Sequence, residues 1–282
     1  MTSPKVAQPK IGIIAGRGDL PRHLMAALAA AGRDVFVLAL EGQAEAETVV
    51  GVAHAWVAIG QVGYGFATLK AEGVQQVVLA GAVKRPSLFS LKLDARGAAL
   101  LGKIGLQALG DDGLLRAVSD AFEEEGFELV GADQLLQTLV TGEGKLGRFA
   151  PDELAMNDLW RGFQVATALG ALDVGQAVIV QQGIVLGVEA IEGTDALIER
   201  ATMLRRDGLG GVLVKIVKPG QDRRFDLPTL GPETVSRAAA AGLRGIGFEA
   251  GSVIILNGAE AIARADEAGI FLFGMKKLPS EN

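Results

Sequence analysis

Lys10–Pro21, KIGIIAGRGDLP, decides the fold. Lys10–Ala15 is a β-branched apolar run that stops at Gly16-Arg17-Gly18. A helical pattern follows from Pro21 to Ala31, with Leu24, Leu28 and Ala31 on one face and Gly32 as its stop. Strand, glycine turn and helix in that order begin a βαβ unit.

The chain repeats this pattern outward from there. Val35–Leu40 (VFVLAL), Ala53–Ile59 and Val77–Ala80 (VVLA) predict three more strands, and Tyr64–Glu72 predicts a helix ended by Gly73. Each strand is a continuous apolar run without in/out alternation, which implies a parallel sheet covered on both faces. Ser87–Val130 reads as mostly helical, closing with a strand at Phe127–Val130. Residues 1–140 are therefore expected to form a Rossmann-like α/β domain.

Residues 141–151 (TGEGKLGRFAP) are Gly-rich and aperiodic, as a linker would be. Gly144-Lys145 has the Gly-Lys of a phosphate-binding P-loop, but no Ser or Thr follows and Leu139 stands at the first glycine position. Residues 152–282 predict a second α/β domain. It starts with a helix over Asp152–Leu172, then a hairpin of Ala177–Gln181 and Ile184–Ala190 around Gln182-Gly183. Thr194 is placed to cap a helix running to about Arg206. A strand at Gly211–Val217, a helix opened by Pro232, a strand at Val253–Leu256, a helix at Gly258–Ala268 and a strand at Ile270–Phe273 complete it.

Composition narrows the chemistry. The chain of 282 residues is 49% hydrophobic and 21% charged, which fits packed globular domains and excludes a disordered chain. A net charge of −6 argues against nucleic-acid binding by bulk electrostatics. The absence of cysteine excludes disulfides, thiolate nucleophiles and sulfur-ligated zinc, and suits the cytoplasm. With only His23 and His54, a two-histidine metal site or a Ser-His-Asp triad has little material. No apolar run is long enough to span a bilayer, and the N-terminus, broken by Arg17 and Asp19, does not read as a signal peptide.

Several places remain for a site. Gly16-Arg17-Gly18 stands where a dinucleotide fingerprint belongs, and Glu41 where a ribose-binding acid would sit, but Pro21 replaces the third glycine. A ligand-free turn, a uridine-nucleotide phosphate contact and an NAD(P)-dependent oxidoreductase all stay open there. Lys84 and Arg85 follow the fourth strand on the same sheet edge, as a phosphate contact or a solvated turn. Asp111 and Asp112 lie between Gly110 and Gly113 at a helix start, one more acid than a cap requires. Glu189 falls in an apolar strand, where an unpaired carboxylate is costly, so it needs a partner: a cation from the Lys215–Arg224 stretch, a metal or the substrate.

The densest cluster is Lys215–Gly231, KIVKPGQDRRFDLPTLG. If Gln221–Leu227 is extended, Asp222, Arg224 and Asp226 point to one side and Gln221, Arg223 and Phe225 to the other. Two carboxylates around a guanidinium suit Mg²⁺ bridged to a phosphate, with Lys215, Lys218, Arg223 and Arg224 as counter-charges. The alternative is a solvated charge run.

The chain resembles the LpxI-type UDP-2,3-diacylglucosamine pyrophosphatases of Gram-negative lipid A synthesis over nearly its whole length. The resemblance rests on IAGRGDLP (Ile14–Pro21), AGAVKRP (Ala80–Pro86), LGDDGLLRAV (Leu109–Val118), QQGIVLGVEAIEGTDALIER (Gln181–Arg200), KPGQDRRFDLPTLGPETV (Lys218–Val235) and EAG (Glu249–Gly251). It implies hydrolysis of UDP-2,3-diacylglucosamine to UMP and 2,3-diacylglucosamine 1-phosphate (lipid X), with a divalent metal, Mg²⁺. It also implies two domains with the lipid product in the cleft between them, and makes Asp226 the first catalytic candidate.

On that reading Asp226, Asp222 and Lys215 are catalytic, and Asp226, Asp222 and Glu189 hold the metal. Lys218, Arg223, Arg224, Gly16, Gly18, Lys84, Arg85, Asp112 and Thr194 contact substrate. Phe225, Phe248, Phe271 and Phe273 are candidate walls of an acyl groove. A lipid substrate also implies a cytoplasmic enzyme in peripheral contact with the inner membrane. A homodimer is the prior for oligomeric state. A non-catalytic nucleotide-sugar or lipid carrier is the remaining alternative.

Overall fold

The computed structural model describes residues 8–84, 91–104, 111–136, 142–219, 224 and 227–276, leaving out the side chains of residues 104, 111 and 112. The chain divides into two compact units, Met1–Leu136 with Asp222–Asp226, and Gln137–Gln221 with Leu227–Asn282.

The first unit runs β1 (Ile11–Ala15), α1 (Leu20–Ala30), β2 (Val35–Leu40), β3 (His54–Val57), α2 (Val62–Ala71), β4 (Gln76–Ala80), α3 (Ala95–Ile104), α4 (Asp111–Glu124), β5 (Glu128–Leu129) and α5 (Ala132–Leu135). Its five strands are all parallel in the order β3-β2-β1-β4-β5. Chain order reverses direction between β1 and β4, which makes that pair the switch point of a Rossmann-type sheet. The apolar runs explain the arrangement: β1 is buried along its whole length, as parallel strands under helices must be. One face packs on a ring cluster in which Phe66 meets Phe122 edge-on at 5.0 Å and Phe127 closes the set.

A single carboxylate joins two helix starts here. Asp94 Oδ2 accepts from Tyr64 N in the first turn of α2 at 3.1 Å, and its Oδ1 from Gly97 N in the first turn of α3 at 2.7 Å. Burial pushes this carboxyl up, but the N–H groups of Gly97, Tyr64, Gly63 and Arg96 outweigh it and hold it below the usual carboxylate range. Asp94→Ala is expected to cost about 1–2 kcal/mol at neutral pH, the size of a lost cap. The folded carboxyl titrates below its unfolded value of about 3.9, so its contribution is present above that pH and lost as pH falls through the folded value. Urea midpoints of wild type and variant should therefore differ at pH ~7, and the gap should narrow as pH falls below the usual carboxylate range. A gap that stayed constant would remove the ionised cap from the explanation.

The second unit runs β6 (Gly144–Leu146), α6 (Glu153–Ala171), β7 (Ala177–Gln181), β8 (Ile184–Val188), α7 (Thr194–Thr202), β9 (Val212–Lys215), β10 (Thr229–Leu230), α8 (Pro232–Ala240), β11 (Gly245–Glu249), β12 (Ile254–Ile255), α9 (Gly258–Ala268) and β13 (Phe271–Met275). Six strands form a mixed sheet in the order β6-β13-β11-β9-β7-β8, parallel through β13, β11 and β9 and antiparallel at both sides. The hairpin turn is as the sequence predicts: Gln182 (φ 54°) and Gly183 (φ 76°) are both left-handed, as in a type I′ turn. Buried Asp158 accepts both of their N–H groups, at 2.9 and 2.6 Å.

Three expectations change. The stretch expected as a linker contains β6, which pairs antiparallel with β13 through Leu146↔Leu272. Thr194 does not cap α7: Gly193 holds that position, and the Thr194 hydroxyl turns to Glu189. Phe248 and Phe271 are core residues, 0% and 3% exposed, and Phe273 packs against the same core. Phe248 and Phe271 are too buried to wall an open groove, Phe273 is partly buried, and Phe225 lies outside the described residues.

Candidate active site

The charged loop hangs between β9 and β10, and its cations divide by task. Lys215 ends β9 with its side chain buried, and its Nζ donates to Thr229 O at 3.0 Å, tying the last residue of β9 to the first of β10. A buried ammonium needs such an acceptor. Lys218 Nζ pairs with Asp173 Oδ1 at 2.6 Å, just beyond the end of α6. A Cβ at Gly170 would meet Pro219 Cδ at 2.9 Å and Lys218 Cα at 3.2 Å, so Lys218-Pro219 lies directly on α6. The loop is thus fixed at its base and over its first residues.

Asp222, Arg223 and Asp226 lie outside the described residues. Arg224 is described, and its Nη1 donates to Glu123 Oε1 of α4 at 2.8 Å, with both side chains part exposed. An ion pair of that kind contributes at most about 1 kcal/mol.

Glu189 follows β8 and is 6% exposed. Its Oε2 accepts from Gln176 N at 3.1 Å and its Oε1 from the Thr194 hydroxyl at 2.8 Å. Neutral donors engage both oxygens of the buried carboxylate, and no cation is among these partners. Glu189 and Thr194 thereby hold each other at the junction of hairpin and α7. Among the described residues no group of three or more His, Cys, Asp or Glu could hold a metal ion.

At the switch point of the first unit the two loops are joined by backbone. Gly16 N donates to Ala80 O at 2.8 Å, Arg17 N to Ala82 O at 2.8 Å, and Ala82 N returns to Arg17 O at 3.1 Å. Glycine is required on both sides. A Cβ at Gly16 would come within 2.6 Å of Ala82 O, and one at Gly81 (φ 90°) would strike Arg17 O. Beside them, the Gln43 side chain pairs with the Lys84 backbone, accepting from its N–H at 2.8 Å and donating to its carbonyl at 3.2 Å. Two amides of the turn, those of Gly16 and Arg17, are thus engaged by carbonyls across the crevice. Gly18 (φ 86°) stands open beyond them, and the Lys84 residue is exposed. Arg85 lies outside the described residues, and Asp112 is in the first turn of α4 with its side chain undescribed.

Sequence reasoning missed Asp173, Gly170 and Thr229. The signal for Asp173 was available: Gly170-Ala171-Leu172-Asp173 ends a helix without a glycine after it, and Asp is among the few residues that enter the left-handed region there.

Family models described as the LpxI N-terminal domain and the LpxI C-terminal domain match residues 10–139 and 142–273. UDP-2,3-diacylglucosamine pyrophosphatase LpxI of Caulobacter vibrioides is 42% identical over 273 residues, covering 94% of this chain and 97% of that protein. Among solved structures, N5-carboxyaminoimidazole synthase from Aspergillus clavatus with ADP and 5-aminoimidazole ribonucleotide is similar at a TM-score of 0.25 and 13% identity, over 71% of this chain and 45% of that one. Carboxyaminoimidazole ribonucleotide synthase of the same organism with ATP gives a TM-score of 0.24 at 13% identity, over 70% and 45%. This chain spans less than half the length of either, and such scores carry no argument about fold or ligand.

Proposed function

This chain belongs to the LpxI family, and from that premise we propose how it works as a UDP-2,3-diacylglucosamine pyrophosphatase in lipid A synthesis. The observation that carries the reading is 42% identity to a pyrophosphatase of that name over 94% of the chain. Water adds across the diphosphate. Its oxygen ends on one phosphorus, the bridging oxygen leaves with the other, and the protons pass to solvent. The products are UMP and 2,3-diacylglucosamine 1-phosphate.

Asp226 and Asp222 are the residues to hold a divalent metal, Mg²⁺. Their carboxylates are hard oxygen donors, and Mg²⁺ is commonly held by one or two carboxylates together with substrate phosphates. The metal, when bound, supplies polarisation of the phosphoryl oxygens. Glu189 completes this set as its third carboxylate: Gln176 N and Thr194 each engage one of its oxygens and leave a lone pair on both. Arg223 and Arg224 neutralise the diphosphate, and the Arg224–Glu123 pair is weak enough to exchange for a phosphate.

No helix among the described residues is long and apolar enough to cross a membrane. The two acyl chains of the substrate place the working enzyme against the cytoplasmic surface of the inner membrane. Leu172, Val174 and Ile191 are exposed apolar residues on the second unit. They lie at the same end of its sheet as Lys218, since Ala177 pairs with Lys215 and Val178 with Val188.

The test presents the diacylated UDP-sugar in phospholipid vesicles with Mg²⁺, Mn²⁺ or EDTA, and measures UMP together with protein pelleted by the vesicles. UMP release with divalent metal and pelleting of the protein are expected. Retention of substrate without UMP in any metal would make the protein a carrier. Undiminished release in EDTA would remove the metal, and protein left wholly in the supernatant would remove the membrane contact.

A further inference from the structure

Asp173 occupies a backbone position that usually belongs to glycine. The end of α6 is a Schellman turn: Val174 N donates to Leu169 O at 3.1 Å and Asp173 N to Gly170 O at 3.0 Å, with Asp173 left-handed at φ 54°. A side chain in that region is disfavoured, although Asp and Asn tolerate it best. What this side chain does there is pair with Lys218, 45 residues away, at 2.6 Å; the two side chains are 27% and 12% exposed. A charge-assisted bond so shielded is stronger than a surface pair. One turn back, Gly170 admits the same dipeptide, Lys218-Pro219, against the helix. Two devices of different chemistry therefore fix one point of the chain, just ahead of the loop that carries Asp222 and Asp226.

We propose that Asp173 is a positioning residue for the pyrophosphatase site, and that Lys218 acts through Asp173 as the anchor of the loop and not as a counter-charge to the diphosphate. This rests on the assignment of the reaction to the Asp222–Asp226 segment. The two roles of Lys218 predict effects of opposite sign. If the ammonium served the diphosphate, Asp173 would compete for it, and removing the carboxylate would tighten substrate binding. If it serves the loop, removing either partner misplaces the same reacting groups, and removing both adds nothing.

The test uses Asp173→Asn, which retains a residue suited to the left-handed turn, Lys218→Met, which retains the aliphatic stem, Lys218→Arg and the double variant Asp173→Asn/Lys218→Met. Each of the two deleting singles is expected to lower kcat roughly tenfold or more, as small misplacements do, with KM nearly unchanged. The double variant should match the worse single, and Lys218→Arg should recover most of kcat. A lowered KM in Asp173→Asn, or losses that multiply in the double variant, would overturn the proposal.

Hydrogen exchange of the amides at 216–218, measured without substrate, judges the anchor independently of turnover. It should quicken in both deleting singles, and unchanged exchange in both would overturn the anchor. Absence of UMP release by wild type would instead strike the assignment of function and leave the exchange result standing.

Discussion

Asp226→Ala is expected to lose roughly 10²- to 10³-fold or more in turnover while unfolding at the wild-type temperature, the loss seen when a group acting on the transition state is removed. Few other residues can take its place. The chain has no cysteine, and both histidines are engaged locally: His23 Nδ1 lies 2.8 Å from Asp19 O, and His54 Nδ1 lies 2.8 Å from Val52 O. Glu189 is held by its two neutral donors, and no three or more His, Cys, Asp or Glu among the described residues group to hold a metal. The loop of Asp222 and Asp226 also has both of its ends fixed by lysines, through Lys215–Thr229 and Lys218–Asp173. Such fixing is what a reacting carboxylate requires, since the geometry must be set before substrate arrives. UMP release and thermal unfolding of the purified variant, measured side by side, check it. Turnover like that of wild type would take Asp226 out of the site, and a lowered unfolding temperature would make the loss structural.

The first unit was legible because its strands are continuous apolar runs between glycine punctuation; Val35–Leu40 is a strand over the bounds the sequence predicts. Strand β11, GIGFE, was not, because two glycines weaken any strand signal. The reason for them is in the packing. A Cβ at Gly245 would enter the Phe271 ring, and one at Gly247 would strike Leu159. Neither partner is near in sequence, so no local pattern could show it. The same limit applies to the loop. Its charges were visible, but the acceptors of Lys215 and Lys218 come from β10 and from the end of α6, and only the fold brings them there. Charge spacing shows where a site can be; it does not show which charges build the loop and which are left for a ligand.

Gly81→Ala should be strongly damaging to the first unit, costing about 2–4 kcal/mol. Two costs combine. The backbone is at φ 90°, where an L side chain is strained, and the new Cβ would run into Arg17 O, a backbone atom that no rotamer change can move aside. Gly18→Ala separates the two. It lies across the same crevice at φ 86°, but a Cβ there meets nothing within 4 Å, so it carries the backbone strain alone, about 1–2 kcal/mol. The readout is built in: Trp56 is in the first unit and Trp160 in the second, so in a Trp160→Phe background the fluorescence of Trp56 follows unfolding of the first unit. The urea midpoint of Gly81→Ala should fall well below that of Gly18→Ala. Equal midpoints would mean that the Arg17–Ala82 bridge does not hold the loops together. The amide of Arg17 would then be available to a ligand at the switch point.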